Sequence, residues 1–337
     1  MHHGVSKKQM KRPLPLPSND WQAIAGDTIA ATMPRIPREL LKGVLYEGGT
    51  MMMSGASKSM KTFTMIAAGL AVASGSDWLG IRCATAPVVY LNLELQDFAM
   101  AQRVIAVAKA MNISPPGTFH VVNLRGLLVD INTVESKLDK LIAQTGARLV
   151  VIDPHYKISS ASHVEENSND EQGLLLYRLE NAVCKSGAAL MVAHHFSKGD
   201  KSQVRAIDRA AGGGALARWP DVVMTLTEHE VPDCAAAEFS LRNFAPLETF
   251  TVRWAYPLWT LAPEIDPTLL KKAGRKVEFP AEKLLQHLDK ENGMTNAEWA
   301  KASNYAETTV RRRCKELLAA GLIRVSASKR YYAVTPE

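Results

Sequence analysis

Gly55-Ala56-Ser57-Lys58-Ser59-Met60-Lys61-Thr62 has the spacing of a phosphate-cradling loop, G-x-x-x-x-G-K-[ST], with Met60 in place of the second glycine. In such a loop, successive backbone N–H groups and the N-terminus of the next helix surround a phosphate chain. All eight residues are therefore candidates for holding ATP. Lys61 would pair with the β- and γ-phosphates, and the Thr62 hydroxyl would hold Mg2+. Met60 departs from the pattern because glycine turns more freely at that position. Lys58 is either a second contact to the γ-phosphate or a solvated loop lysine.

Two acids follow in an order that completes this chemistry. The run PVVYLNLE, 87–94, reads as a buried strand ending in a carboxylate. At the tip of a parallel strand Glu94 can orient and deprotonate the water attacking the γ-phosphate; taken alone, it is an acid opening a helix. The run RLVVID, 148–153, is a second apolar strand. Asp153 would bind Mg2+ through water, or else open a turn before Pro154. A third strand leads into His194-His195-Phe196-Ser197-Lys198. Alternation sends the two histidines to opposite faces, so one of them, His195 by preference, contacts the γ-phosphate and the other is a core histidine. Divergent neighbours of this kind do not form a metal site.

These residues need a sheet that brings strand ends together. Short β-branched runs alternate with helical stretches over 41–262, the pattern of a mostly parallel α/β sheet. Strands are expected at 50–54, 88–93, 119–123, 148–152, 188–193 and 221–226, with an antiparallel edge pair at 236–242 and 250–254. A helix is expected over 63–74. Residues 1–40 read as a basic, proline-rich arm and entry segment; Pro13, Pro15 and Pro17 favour an extended chain. Residues 263–277, PEIDPTLLKKAGRKV, read as a linker.

Residues 278–337 form a separate unit. Leu284, Leu285 and Leu288 fit an amphipathic helix over 279–289. Thr295 and Glu298 form a capping box for a second helix. A third, 307–320, puts Val310, Cys314, Leu317 and Leu318 on one face and ends at Gly321. Segments 322–325 and 330–334 read as a hairpin. Three helices and a hairpin make a winged helix. Arg311 and Arg312 on the third helix, with Lys329 and Arg330 on the wing, would contact nucleic acid; the alternative is a protein-docking module.

In order and spacing, GASKSMKT, WLG (78–80), VVYLNLE, LVVIDP and AHHFSKG resemble the RecA/DnaB superfamily, most closely the RepA-like hexameric helicase/ATPase group. The resemblance covers about two thirds of the chain, roughly 35–260. It implies a RecA-like P-loop NTPase core with ATP and Mg2+ as ligands, Glu94 as catalytic glutamate and Asp153 as the metal-binding aspartate. It implies that His195 with Lys198 forms a sensor. Arg242, in the run LRNF (241–244), resembles an arginine finger reaching the neighbouring subunit's γ-phosphate. The family's lysine two positions earlier is Ser240 here, so Arg242 is otherwise an edge-strand charge. A homo-oligomer, often a hexamer, follows from the resemblance. Two loops would then face a channel for single-stranded DNA, 159–170 and 199–214, the second with Lys201, Arg205 and Arg209. The implied function is a replicative-type helicase of a plasmid, phage or mobile element. A non-translocating ATP-gated loader, or a regulatory ATPase whose winged helix docks a protein, are the alternatives.

Composition narrows the classes. Apolar residues at 47% and charged residues at 22% fit a chain that folds. Four cysteines without CxxC spacing argue against zinc and against a disulfide scaffold, and read as reduced thiols in a cytoplasm. Apolar runs are too short for a membrane span. Residues 1–45 hold seven Lys/Arg against three Asp/Glu, and 271–337 hold fourteen against eight. Basic ends around an acidic middle place polyanion contacts at the ends or in local loops.

Overall fold

The computed structural model describes residues 23–32, 35–56, 59–165, 168–195, 218–271, 284–289, 292–303, 305 and 307–334. The chain divides into two compact units, 1–272 and 273–337.

The first unit opens with α1 (Gly26–Thr32) and a small hairpin, β1 (Glu39–Leu41) and β2 (Leu45–Tyr46). Then come β3 (Thr50–Gly55), α2 (Lys61–Ser74), β4 (Val88–Asn92), α3 (Asp97–Ala110), β5 (Phe119–Asn123), α4 (Ile131–Thr145) and β6 (Leu149–Asp153). After these follow α5 (Tyr156–Ala161), α6 (Asn169–Cys184), β7 (Ala189–His195), β8 (Val222–Glu228), β9 (Cys234–Leu241), β10 (Phe250–Ala255) and β11 (Leu258–Leu261). Among the described residues, nine strands form one sheet in the order β11-β10-β9-β8-β3-β7-β6-β4-β5. From β8 to β5 the pairing is parallel; from β8 to β11 it is antiparallel. The strands agree with the expected ones within two residues, and β11 extends the expected edge pair.

The central strands are apolar throughout because both faces are covered. Met51 and Met53 pack with Ile66 and Leu70 of α2 and Met100 of α3. Met52 faces the other way, with Leu138 of α4 and Leu179 of α6. One MMM run thus serves two cores.

Two expectations change. Residues 263–271 do not leave the sheet as a linker. Thr251 Oγ1 donates to the Ile265 carbonyl at 2.9 Å, Leu270 bridges His229, and Lys271 N donates to Glu228 O at 3.0 Å. The loop expected at 159–170 is narrower, since α5 runs to Ala161 and Ser168 caps α6 by accepting from Glu171 N. Ser159 is buried and hydrogen-bonded to Gln172 at 3.3 Å, so it does not face a channel. Lys201, Arg205, Arg209 and Lys198 lie outside the described residues.

The second unit contains α7 (Asn296–Ser303), α8 (Glu307–Ala319), β12 (Ile323–Val325) and β13 (Tyr331–Ala333). The capping box is formed: Thr295 N donates to Glu298 Oε2 at 2.9 Å, and Glu298 N to Thr295 Oγ1 at 3.3 Å. Trp299, fully buried, centres a core with Leu284, Leu288, Val310, Cys314, Leu317 and Ile323. Its indole N–H donates to the Leu284 carbonyl at 2.9 Å, so the large ring is buried without an orphaned polar atom. Gly321 turns the chain at φ 70° into the antiparallel β12–β13 hairpin, and Met294 forms a single antiparallel bridge with Tyr331. The helix expected over 279–289 lies partly outside the described residues; the two later helices and the hairpin follow one another in the order of a winged helix.

Candidate functional site

The C-terminal ends of β3, β4, β6 and β7 lie side by side. Their register sets Gly55 beside His195 and Asn92 beside Asp153. The carboxyl edge of a parallel sheet is where such folds bind ligands.

Gly55 ends β3 under tight constraint: a Cβ there would meet the Ser59 hydroxyl at 2.6 Å and the Leu226 carbonyl at 3.3 Å. Ser57 and Lys58 lie outside the described residues. Met60 caps α2 with φ 59° and ψ 21°, the left-handed region that its side chain disfavours. The missing glycine therefore leaves the turn in place and strains it.

Lys61 opens α2 and is 6% exposed. Its ammonium donates to the carbonyls of Gly55 at 2.9 Å and Ala56 at 2.7 Å, and to Ser59 Oγ at 3.4 Å. Burial lowers its pKa to about 8, against the opposing pull of Asp153 and Glu94. Thr62 hydrogen-bonds the Asp153 carboxylate through its side chain. Asp153 is also buried, and Tyr90 Oη donates to its Oδ2 at 2.6 Å. Burial raises the Asp153 pKa; the hydrogen bonds from Tyr90 and Thr62 oppose the rise. Burial, followed by the charge of Asp153, holds the Tyr90 hydroxyl well above its ordinary pKa, so it remains a donor.

Glu94 is exposed on the turn after β4. Asn92 shapes that turn. Its Nδ2 donates to the Leu95 carbonyl at 2.9 Å and to Asn123 Oδ1 at 2.8 Å, and its Oδ1 accepts from Leu95 N at 2.9 Å. His155, buried, pairs through Nδ1 with the Ala193 carbonyl at 2.8 Å, and its ring lies 5.2 Å from that of half-buried His194. The histidine at the strand tip beside the phosphate loop is His195, by backbone register.

Lys61, Thr62, Asp153 and Glu94 thus converge. Tyr90 supports Asp153 and Asn92 supports the turn that carries Glu94, while His155 holds the end of β7; none of the three is singled out in the sequence. Asn92, a polar residue in an otherwise apolar strand, is a readable signal; Tyr90 and His155 carry none.

Arg242 is elsewhere. Its backbone N–H donates to Asp221 O at 2.9 Å, just before β8 starts, whereas Gly55 pairs with Leu226 near the other end of that strand. Its guanidinium donates to the Arg218 carbonyl and lies 3.6 Å from Asp221 Oδ1, with the side chain 52% exposed. It stands at the end of the sheet opposite its own phosphate loop.

On the winged helix, Arg312 and Lys329 are exposed. Arg311 is two-thirds exposed and pairs with Glu307 at 2.8 Å. Arg330 departs from the expected phosphate contact. Its guanidinium donates to the carbonyls of Asn292 at 3.1 Å and Gly293 at 2.9 Å and pairs with Glu298 at 3.0 Å. It fastens the wing to the start of α7, because those carbonyls and that carboxylate already occupy its donor fork.

Among the described residues no helix is long and apolar enough to cross a membrane, and no cluster of three or more His, Cys, Asp or Glu could hold a metal. Residues 12–201 match the AAA domain family, and residues 281–324 match the winged helix-turn-helix, DNA-binding family. Among solved structures, the chain is similar to a KaiC-like protein from the hyperthermophilic archaeon Pyrococcus horikoshii OT3. The two share 14% identity, over 68% of this chain and 96% of that one, with a TM-score of 0.47. No curated protein matches the sequence.

Proposed function

Because the chain belongs to the AAA domain family and ends in a winged helix, we propose that it is a DNA-acting ATPase, a motor of the replicative-helicase type of a plasmid, phage or mobile element. The observation that carries this reading is the convergence of the Lys61 ammonium and the Thr62–Asp153 pair at one sheet edge.

The residues fit Mg-ATP. Lys61 is already ringed by carbonyl oxygens, and a triphosphate offers it stronger, charged acceptors in the same place. The remaining loop, Gly55 to Met60 including Ser57 and Lys58, would present backbone N–H groups to the phosphates. Thr62 and Asp153 would hold Mg2+, which screens phosphate charge when bound. Glu94 would orient the attacking water and take its proton, and its exposure leaves it free to do so. His195, beside Gly55, would sense the γ-phosphate.

Arg242 would serve the site of a second copy, since it lies at the far end of the sheet from its own; a homo-oligomeric ring, a hexamer in this reading, supplies that neighbour. Lys201, Arg205 and Arg209 would track single-stranded DNA in the channel, and Arg311, Arg312 and Lys329 would meet duplex phosphates.

The strained Met60 and the Arg242–Asp221 pair favour a second reading, a slow ATP-gated loader that does not translocate. Displacement of a labelled strand from a forked duplex separates the two. The motor reading requires ATP-dependent displacement that Lys61→Ala abolishes. Hydrolysis and DNA binding without displacement would select the loader.

A further inference from the structure

At the foot of β3, away from the phosphate end, the first unit has an open cleft of about 280 Å3. Leu45 and Val222 form its buried floor. Tyr46 and Phe244 form one wall, stacked at 4.3 Å with 23° between their planes. Two carboxylates line it, and they differ. Asp221 is committed: its Oδ2 accepts from Thr50 N at 3.0 Å and Thr50 Oγ1 at 3.1 Å, and its Oδ1 faces Asn243 at 3.2 Å and Arg242 at 3.6 Å. The half-buried Glu47 carboxylate makes no hydrogen bond or ion pair among the described residues.

An aromatic wall, an apolar floor and one unpaired acid suit an extended, proline-rich segment with a basic end, whose rings lie flat on aromatic faces. The same chain carries such a segment. Residues 7–17 read KKQMKRPLPLP, four cations followed by alternating proline and leucine. The proline run lies within the span that matches the AAA domain, which starts at residue 12. Pro37 lines the cleft itself, and the twenty residues from 17 to 37 allow the chain to turn back onto it.

We propose that residues 7–17 dock in this cleft within their own chain, with the prolines against Tyr46 and Phe244 and Lys11 or Arg12 paired with Glu47. The docked arm lies beside Arg242, so it borders the surface that a neighbouring copy would use. The proposal stands independently of ATP hydrolysis.

The test uses the full chain with p-benzoylphenylalanine in place of Phe244. Irradiation should yield adducts to residues 10–17, and a mixture of isotopically light and heavy chains should give adducts of unmixed mass. Adducts to the cleft lining around Tyr46 are expected in any case; the absence of adducts to residues 10–17, or their formation only between light and heavy chains, would overturn the proposal. In parallel, Glu47→Lys should speed tryptic cleavage after Lys11 at least fivefold while the melting temperature holds. An unchanged cleavage rate with an unchanged melting temperature would also overturn it.

Discussion

Lys61 is a cation in a place that disfavours cations. With its pKa lowered to about 8 from 10.5, the folded, ligand-free chain releases a proton that the unfolded chain keeps between those values. The cost of this lysine is therefore present below about pH 8 and is relieved as pH rises toward 10.5, so stability rises across that window. Phosphate oxygens restore the charged form. Binding of Mg-ATP at pH 8.5 should thus take up a proton, seen calorimetrically as heats that depend on buffer ionisation enthalpy. Lys61→Arg, which stays protonated, should show no such uptake. Met60 makes a second prediction. Relieving its left-handed backbone with Met60→Gly should stabilise the chain by about 1 kcal/mol, less the entropy glycine regains on unfolding. That corresponds to a rise of up to about 2–4 °C in thermal melting. The loop, Glu94 and Asp153 were legible from residue types and order. Tyr90 was not distinguished, because a tyrosine in an apolar strand reads equally well as core until its hydroxyl is seen on Asp153.

At the scale of elements, pattern located the strands because a sheet buried on both faces demands continuous apolar runs. It did not reveal β11, a four-residue strand whose exposed residues carry little periodicity. Composition reads 263–277 as a linker, since proline, glycine and lysine mark loops; hydrogen bonds to Thr251, Glu228 and Glu230 hold residues 265–271 against the sheet regardless of composition. The winged helix was legible through its capping box and the Val310–Cys314–Leu317 face, but the roles of its cations were not. Adjacent Lys329 and Arg330 look alike in sequence and act differently in the structure. Arg330→Ala should destabilise the wing by about 1 kcal/mol, discounted for partial exposure. Lys329→Ala should leave stability within about 0.5 kcal/mol and lower DNA affinity with a shallower salt dependence. Thermal melts and titrations at several salt concentrations check both. Trp299→Ala should cost about 3–5 kcal/mol, read as a lowered or lost thermal transition of the second unit.

For the whole molecule, the separation of Arg242 from its own phosphate loop has a kinetic consequence. If the arginine completes a neighbour's site, mixing Arg242→Ala chains into wild type should depress hydrolysis out of proportion to their share; a proportional decline would assign Arg242 to its exposed pair with Asp221. Every such experiment presupposes that the edge formed by β3, β4 and β6 takes up Mg-ATP, and calorimetric titration of the full chain measures that most directly. Binding should be saturable and magnesium-dependent, and Lys61→Ala and Asp153→Asn should each weaken it at least tenfold while both variants melt cooperatively. Wild-type affinity in either folded variant, or no uptake of Mg-ATP by the folded wild-type chain, would contradict that premise.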